Sequence, residues 1–168
     1  FQKVYEQTVQ AGDSAVVITL SGKLSGTYQS ACIAAEEFDH VYVVDSQTAA
    51  IGTGILAEYA LSCVDAGMPA DEIAAQLEQK REDVCLVALL DTLEYLKRGG
   101  RISAATAVLG TMLSVKPVLH TDDEGHLINM GKARGRKASI QALVKKMEEL
   151  GEGYDNSTVF ICHGDCIE

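Results

Sequence analysis

The run Ser21-Gly22-Lys23-Leu24-Ser25-Gly26-Thr27 gathers three hydroxyls, two glycines and a lysine between an apolar stretch and a helical one. In open α/β sheets, ligands bind beyond the carboxyl ends of the strands. A helix start there offers unpaired N–H groups and partial positive charge, and small hydroxyl side chains add donors for a carboxylate or phosphate. Ser25 acting as a helix N-cap in a plain glycine-rich turn explains the same residues without a ligand. The run is neither GxxxxGK[ST] nor GxSxG, so neither a P-loop nor a nucleophile elbow is indicated.

A second cluster, Asp45-Ser46-Gln47-Thr48, also follows an apolar run. It could serve a ligand, but helix capping by Asp45 or Ser46 accounts for it equally well. Lys97-Arg98-Gly99-Gly100-Arg101 places cations at a helix end, where they complement the dipole. Gly131-Lys132-Ala133-Arg134-Gly135-Arg136-Lys137 does the opposite and sets cations before a helix start. That placement asks for an anionic partner, against the plainer reading of a solvated charge run. Cys162, His163, Asp165 and Cys166 follow no zinc spacing, and no metal site is expected. Ser21, Asp45 and His163 each fall at a strand end, but sequence alone cannot bring them together as a hydrolase triad.

These residues need elements to hold them. Residues 1–11 read as a helix, 14–19 (SAVVIT) as a buried strand, and 28–38 as a helix. A second strand is expected at 41–44, with helices over 51–64 and from Pro69 onward. Residues 84–90 (VCLVALL) read as a third buried strand, and Asp91 with Glu94 as a capping box for a short helix. A small helix follows over 103–109. Residues 115–119 and 127–130 make a hairpin around Asp122-Asp123-Glu124-Gly125. An amphipathic helix over 140–150 and a last strand at 158–162 (TVFIC) complete the pattern. Strands alternating with helices imply an α/β fold with a mainly parallel sheet. A change of domain is expected near residues 84–100, with 1–83 in one domain and 84–168 in the next.

The 168 residues are 47% hydrophobic and 23% charged, which is globular composition. No apolar run reaches the roughly 18 residues of a membrane span. The net charge of −10 and the lack of Trp disfavour nucleic acid and anionic membranes as partners. The charge is uneven: residues 92–137 hold eight basic and four acidic side chains, a local +4. Five cysteines without a CxxC pair point to a reducing cytoplasm. The chain opens at Phe1 in apparent mid-helix and is expected to be a piece of a longer protein.

Taken together, residues 20–31 (LSGKLSGTYQSA), 44–54 (VDSQTAAIGTG), 90–105 (LDTLEYLKRGGRISAA) and 131–137 (GKARGRK) closely resemble the DegV family, in order and spacing, over nearly the whole chain. The resemblance implies a cytoplasmic bacterial α/β protein of two domains, here truncated at both ends. It implies a binding protein rather than an enzyme, with no cofactor. The ligand would be a long-chain fatty acid in an apolar tunnel, its carboxylate presented to a separate fatty acid kinase subunit. By the resemblance, Ser21 is the carboxylate-binding serine. Ser25, Gly26 and Thr27 shape the anion pocket, Arg134 and Arg136 lie beside the head group or face the kinase, and Arg98 and Arg101 pin the domain junction. The segment ahead of Phe1 and a late histidine beyond Glu168 would then be missing from the pocket. Two rival readings remain at this point: an enzyme acting on a small anionic substrate, by hydrolysis or phosphoryl transfer, and a regulatory module whose basic patch docks an acidic protein.

Overall fold

β-Branched runs form the first two strands. In the computed structural model, which describes residues 1–102, 115–153 and 159–164, β1 (Ala15–Thr19) and β2 (Val41–Asp45) pair in parallel. Their register sets Ile18 opposite Val44 and Thr19 opposite Asp45. Both strands therefore end at the same level, and their following loops emerge side by side. Helix α1 (Gln2–Gln10) precedes them, α2 (Thr27–Ala35) connects them, and α3 (Ile51–Asp65) and α4 (Ala70–Lys80) follow.

Alternation decides which residues enter the core. Val16 and Ile18 of β1 join Val44 of β2 against Leu56 and Cys63 of α3 and Ile73 and Leu77 of α4. Helix α2 rests on both strands with Ala31 and Ala34 buried, small residues that allow close approach. Tyr5 of α1 packs edge-on against Phe38, ring centroids 6.0 Å apart. An open groove of about 500 Å³ runs beside β1, lined by Val16, Ile18, Leu61, Val64, Met68 and Ile73 among others.

The chain divides into two compact units. One is Phe1–Val84 together with the described residues 159–164, and the other spans residues 85–157. In the second unit β3 (Val87–Leu89), β4 (Val115–Thr121) and β5 (Leu127–Arg134) form an antiparallel sheet in that order. The parallel character thus belongs to the first sheet. The expected hairpin is β4–β5, longer than its apolar residues suggested. Its turn is held by Asp122, whose Oδ1 accepts the N–H groups of Glu124 at 3.0 Å and His126 at 2.8 Å. Gly125 follows with φ +88°, which a side chain would resist. Short α5 (Glu94–Arg98) and long α6 (Arg136–Gly151) complete this unit, with α6 lying on all three strands. Leu93, Ile102 and Leu119 form its core.

Two local expectations change. Asp91 does not cap α5; the Glu94 N–H donates to Thr92 Oγ1 at 3.2 Å, and Asp91 instead pairs with Lys116 at 2.7 Å. Residues 159–162 carry no strand pairing, and Ile161 is 86% exposed. A short β-branched and aromatic run signals strand propensity, but a strand also needs a neighbour to bond. The helix expected over 103–109 lies outside the described residues, as do Thr158, Asp165 and Cys166.

Leu77 is fully buried at the centre of the first core. Leu77→Ala is expected to cost about 2–5 kcal/mol through lost burial and a residual cavity. Chemical denaturation of the two proteins side by side measures it.

Candidate functional site

The hydroxyl run at the end of β1 is folded inward. Ser21 has no exposed surface. Its N–H donates to the Thr48 carbonyl at 2.8 Å, and its own carbonyl accepts from Leu24 at 3.0 Å and Ser25 at 3.1 Å. Its Oγ accepts the Lys23 N–H at 3.1 Å. This tight turn buries Leu24 beneath the loop and delivers the chain to α2. Ser25 is not the N-cap of α2; Gly26 is, and no side chain caps it. Ser25 Oγ accepts the Thr27 N–H at 3.3 Å, and the two hydroxyls share a hydrogen bond of 2.8 Å. Ser21, Ser25, Gly26 and Thr27 thus stand on one continuous turn at the carboxyl end of β1.

The second loop locks onto the first. The Asp45 carboxylate accepts the Gly22 N–H, 3.1 Å from each oxygen, and the Gln47 N–H at 3.0 Å. Asp45 is therefore a clamp between loops, not a helix cap. Glycine is required at 22 for this approach, since a Cβ there would lie 2.9 Å from Asp45 Oδ2 and 3.2 Å from the Tyr28 ring. Ser46 is fully buried, and its hydroxyl contacts the Thr48 carbonyl and Thr53 Oγ1, both at 3.3 Å. Arg81 reaches back from a 3₁₀ turn, Arg81–Asp83, and donates through Nη1 to the Asp45 carbonyl at 3.0 Å. The Tyr28 phenol is held above its ordinary pKa, first by its hydrogen bond with Cys32 and then by burial. It therefore stays neutral beside the loop.

The result is a shelf of buried hydroxyls and backbone N–H groups where α2 and α3 begin. Such a surface can bind a carboxylate or phosphate by hydrogen bonds and helix-end charge. The apolar groove beside β1 is lined by none of Ser21, Ser25, Gly26 or Thr27.

The basic residues belong to the second unit. Arg134 ends β5 and Arg136 begins α6, with Gly135 at φ +81° between them. Both arginines are exposed, as are Lys132 and Lys137. Arg136 and Lys116 both hold the Asp91 carboxyl below its ordinary pKa, the Lys116 hydrogen bond contributing most. Arg98 pairs with Glu94 at 2.6 Å along α5, and Arg101 Nη1 donates to the Gly99 carbonyl. No group of three or more His, Cys, Asp or Glu side chains stands where it could hold a metal among the described residues.

Comparison with known proteins decides what scaffold carries this shelf. Residues 1–168 match the sequence profile described as "Uncharacterised protein, DegV family". The chain belongs to the DegV family. A DegV domain-containing protein of Clostridium perfringens is 38% identical over 174 aligned residues, covering 100% of this chain and 60% of its own length. A solved DegV protein from Thermus thermophilus, described as fatty acid binding, is 41% identical with a TM-score of 0.80. That match covers 90% of this chain and 54% of the Thermus chain. A DegV protein from Eubacterium eligens, solved with heptadecanoic acid, is 25% identical with a TM-score of 0.75, covering 88% of this chain and 56% of its own. This DegV chain therefore spans a little over half the length of the relatives it matches.

Sequence reasoning did not assign the contacts of four residues of the DegV shelf. Asp45 and Ser46 read as caps because side-chain acceptors near helix starts do cap as a rule. The Asp45 carboxylate instead reaches another loop 23 residues away, which no local pattern records. Thr48 stood only as the last residue of the second candidate cluster, and Arg81 carried no signal at all. Asp45→Ala removes the acceptor for Gly22 and Gln47. It is expected to cost about 1–2 kcal/mol and to speed amide exchange at those two positions, as hydrogen-exchange mass spectrometry or NMR would show.

Proposed function

We propose that this DegV chain binds a long-chain fatty acid, with the carboxylate held at the Ser21 loop. The observation that carries the reading is the fully buried Ser21 hydroxyl at the carboxyl end of β1, beside the starts of α2 and α3. That position suits an anionic head group. The Thermus relative is described as fatty acid binding, and the Eubacterium relative was solved with heptadecanoic acid. Ser25, Gly26 and Thr27 shape the anion pocket on the same turn, and the acyl chain lies against aliphatic side chains.

The protein acts as a carrier and not as a catalyst. It presents the bound head group to a separate fatty acid kinase subunit, which the exposed Arg134 and Arg136 would face. A cytoplasmic setting suits the free thiols of Cys32, Cys63, Cys85 and Cys162. No helix among the described residues is long and apolar enough to cross a membrane.

Ser21→Ala removes one hydrogen bond to the carboxylate. Affinity for a C16–C18 fatty acid is expected to fall about tenfold, equivalent to roughly 1.4 kcal/mol. Affinity for the corresponding methyl ester should change little. Titration calorimetry or native mass spectrometry of wild type and variant measures both. Equal binding of the acid by the two proteins would exclude Ser21 as the head-group residue.

A further inference from the structure

The loop between β2 and α3 is built at a cost that packing does not explain. Gln47 and Ala50 both adopt positive φ, 50° and 49°, and Ala50 combines this with ψ −119°. That conformation is ordinarily left to glycine. Between them stands Thr48, 2% exposed, whose Oγ1 has no hydrogen-bond partner among the described residues. Its main chain is fully engaged. The carbonyl accepts from the Ser21 N–H and from Ser46 Oγ, and the N–H donates to Ser46 Oγ at 3.3 Å. Only the hydroxyl is left over.

The surroundings keep it that way. The Thr48 side chain packs against the first turn of α3, where a Cβ on Gly52 would collide with Oγ1, Cγ2 and Cβ of Thr48. Gly52 therefore makes room for this side chain at a helix start. A valine would fill the same volume and leave no buried hydroxyl unpaired. The 15-residue α3 presents its positive dipole end here. A carboxylate has two oxygens and about four acceptor sites, so one serine does not satisfy it.

We propose that Thr48 is a second head-group residue, its hydroxyl donating to a carboxylate oxygen of the ligand held at Ser21. This inference rests on the fatty-acid reading above. Backbone pairing of Ser21 with Thr48 brings the two residues into one polar shelf. Bound ligand would then supply the partner that Thr48 Oγ1 otherwise lacks.

The test compares wild type, Thr48→Val and Thr48→Ser for melting temperature and for affinity toward palmitic acid and methyl palmitate. Thr48→Val should melt at or above wild type when lipid-free, because a buried unpaired hydroxyl is gone. It should bind palmitic acid about five- to tenfold more weakly, with methyl palmitate unchanged. Thr48→Ser keeps the hydroxyl and should stay within about twofold of wild type. Should Thr48→Val melt lower, Thr48→Ala makes the same comparison without the added branch. Unchanged palmitic acid affinity in both hydroxyl-free variants overturns the assignment of Thr48 alone. Failure of wild type to bind palmitic acid at all overturns the fatty-acid reading, and this inference with it.

Discussion

A single main-chain bond, from the Ser21 N–H to the Thr48 carbonyl, joins the loops that leave the two parallel strands of the first unit. Parallel pairing makes it possible, because Thr19 opposite Asp45 ends both strands at one level. The Asp45 carboxylate then repeats the connection through Gly22, and Arg81 braces the end of β2 from behind. Without this cross-linking, Ser21 would stand on one turn and Ser46 with Thr48 on another. With it they form one buried polar surface at two helix starts.

The price of that surface is local. Positive φ at two non-glycine residues and a buried hydroxyl without a partner occur within four positions of each other. The aliphatic core beneath shows none of this, although the buried Tyr5 hydroxyl and Arg81 Nε also lack partners among the described residues. Val44, Leu56, Ile73 and Leu77 are packed as aliphatic side chains on a sheet usually are. Strain held at a loop and supported by an ordinary core is the arrangement expected where a loop is shaped for a ligand. The second unit has a different logic. Its antiparallel sheet and α6 carry an exposed basic edge at Lys132, Arg134, Arg136 and Lys137.

Much of the fold was legible because its signals are local. Val41 to Val44, Ile73 with Leu77, and the Asp122–Gly125 turn all speak through periodicity or turn chemistry within a few residues. The apolar run at 159–162 misled for the same reason, since it reports propensity and not the presence of a partner strand. Within the site, the Ser21 loop was legible as a possible anion site from its position after a strand. Its family was legible from motifs such as LSGTYQSA and KRGGRI. The roles of Asp45, Arg81 and Thr48 were not, because each acts across a gap of more than 20 residues. Asp45 reaches Gly22, Arg81 reaches Asp45, and Thr48 reaches Ser21. Nothing in spacing or composition encodes such meetings.

A crystal structure of the chain soaked or co-crystallised with heptadecanoic acid tests the central claim most directly. The account places a carboxylate oxygen within hydrogen-bond distance of Ser21 Oγ, about 2.5–3.0 Å, at the carboxyl ends of β1 and β2. A fatty acid whose carboxylate lies elsewhere, with the Ser21 loop unoccupied, would contradict it.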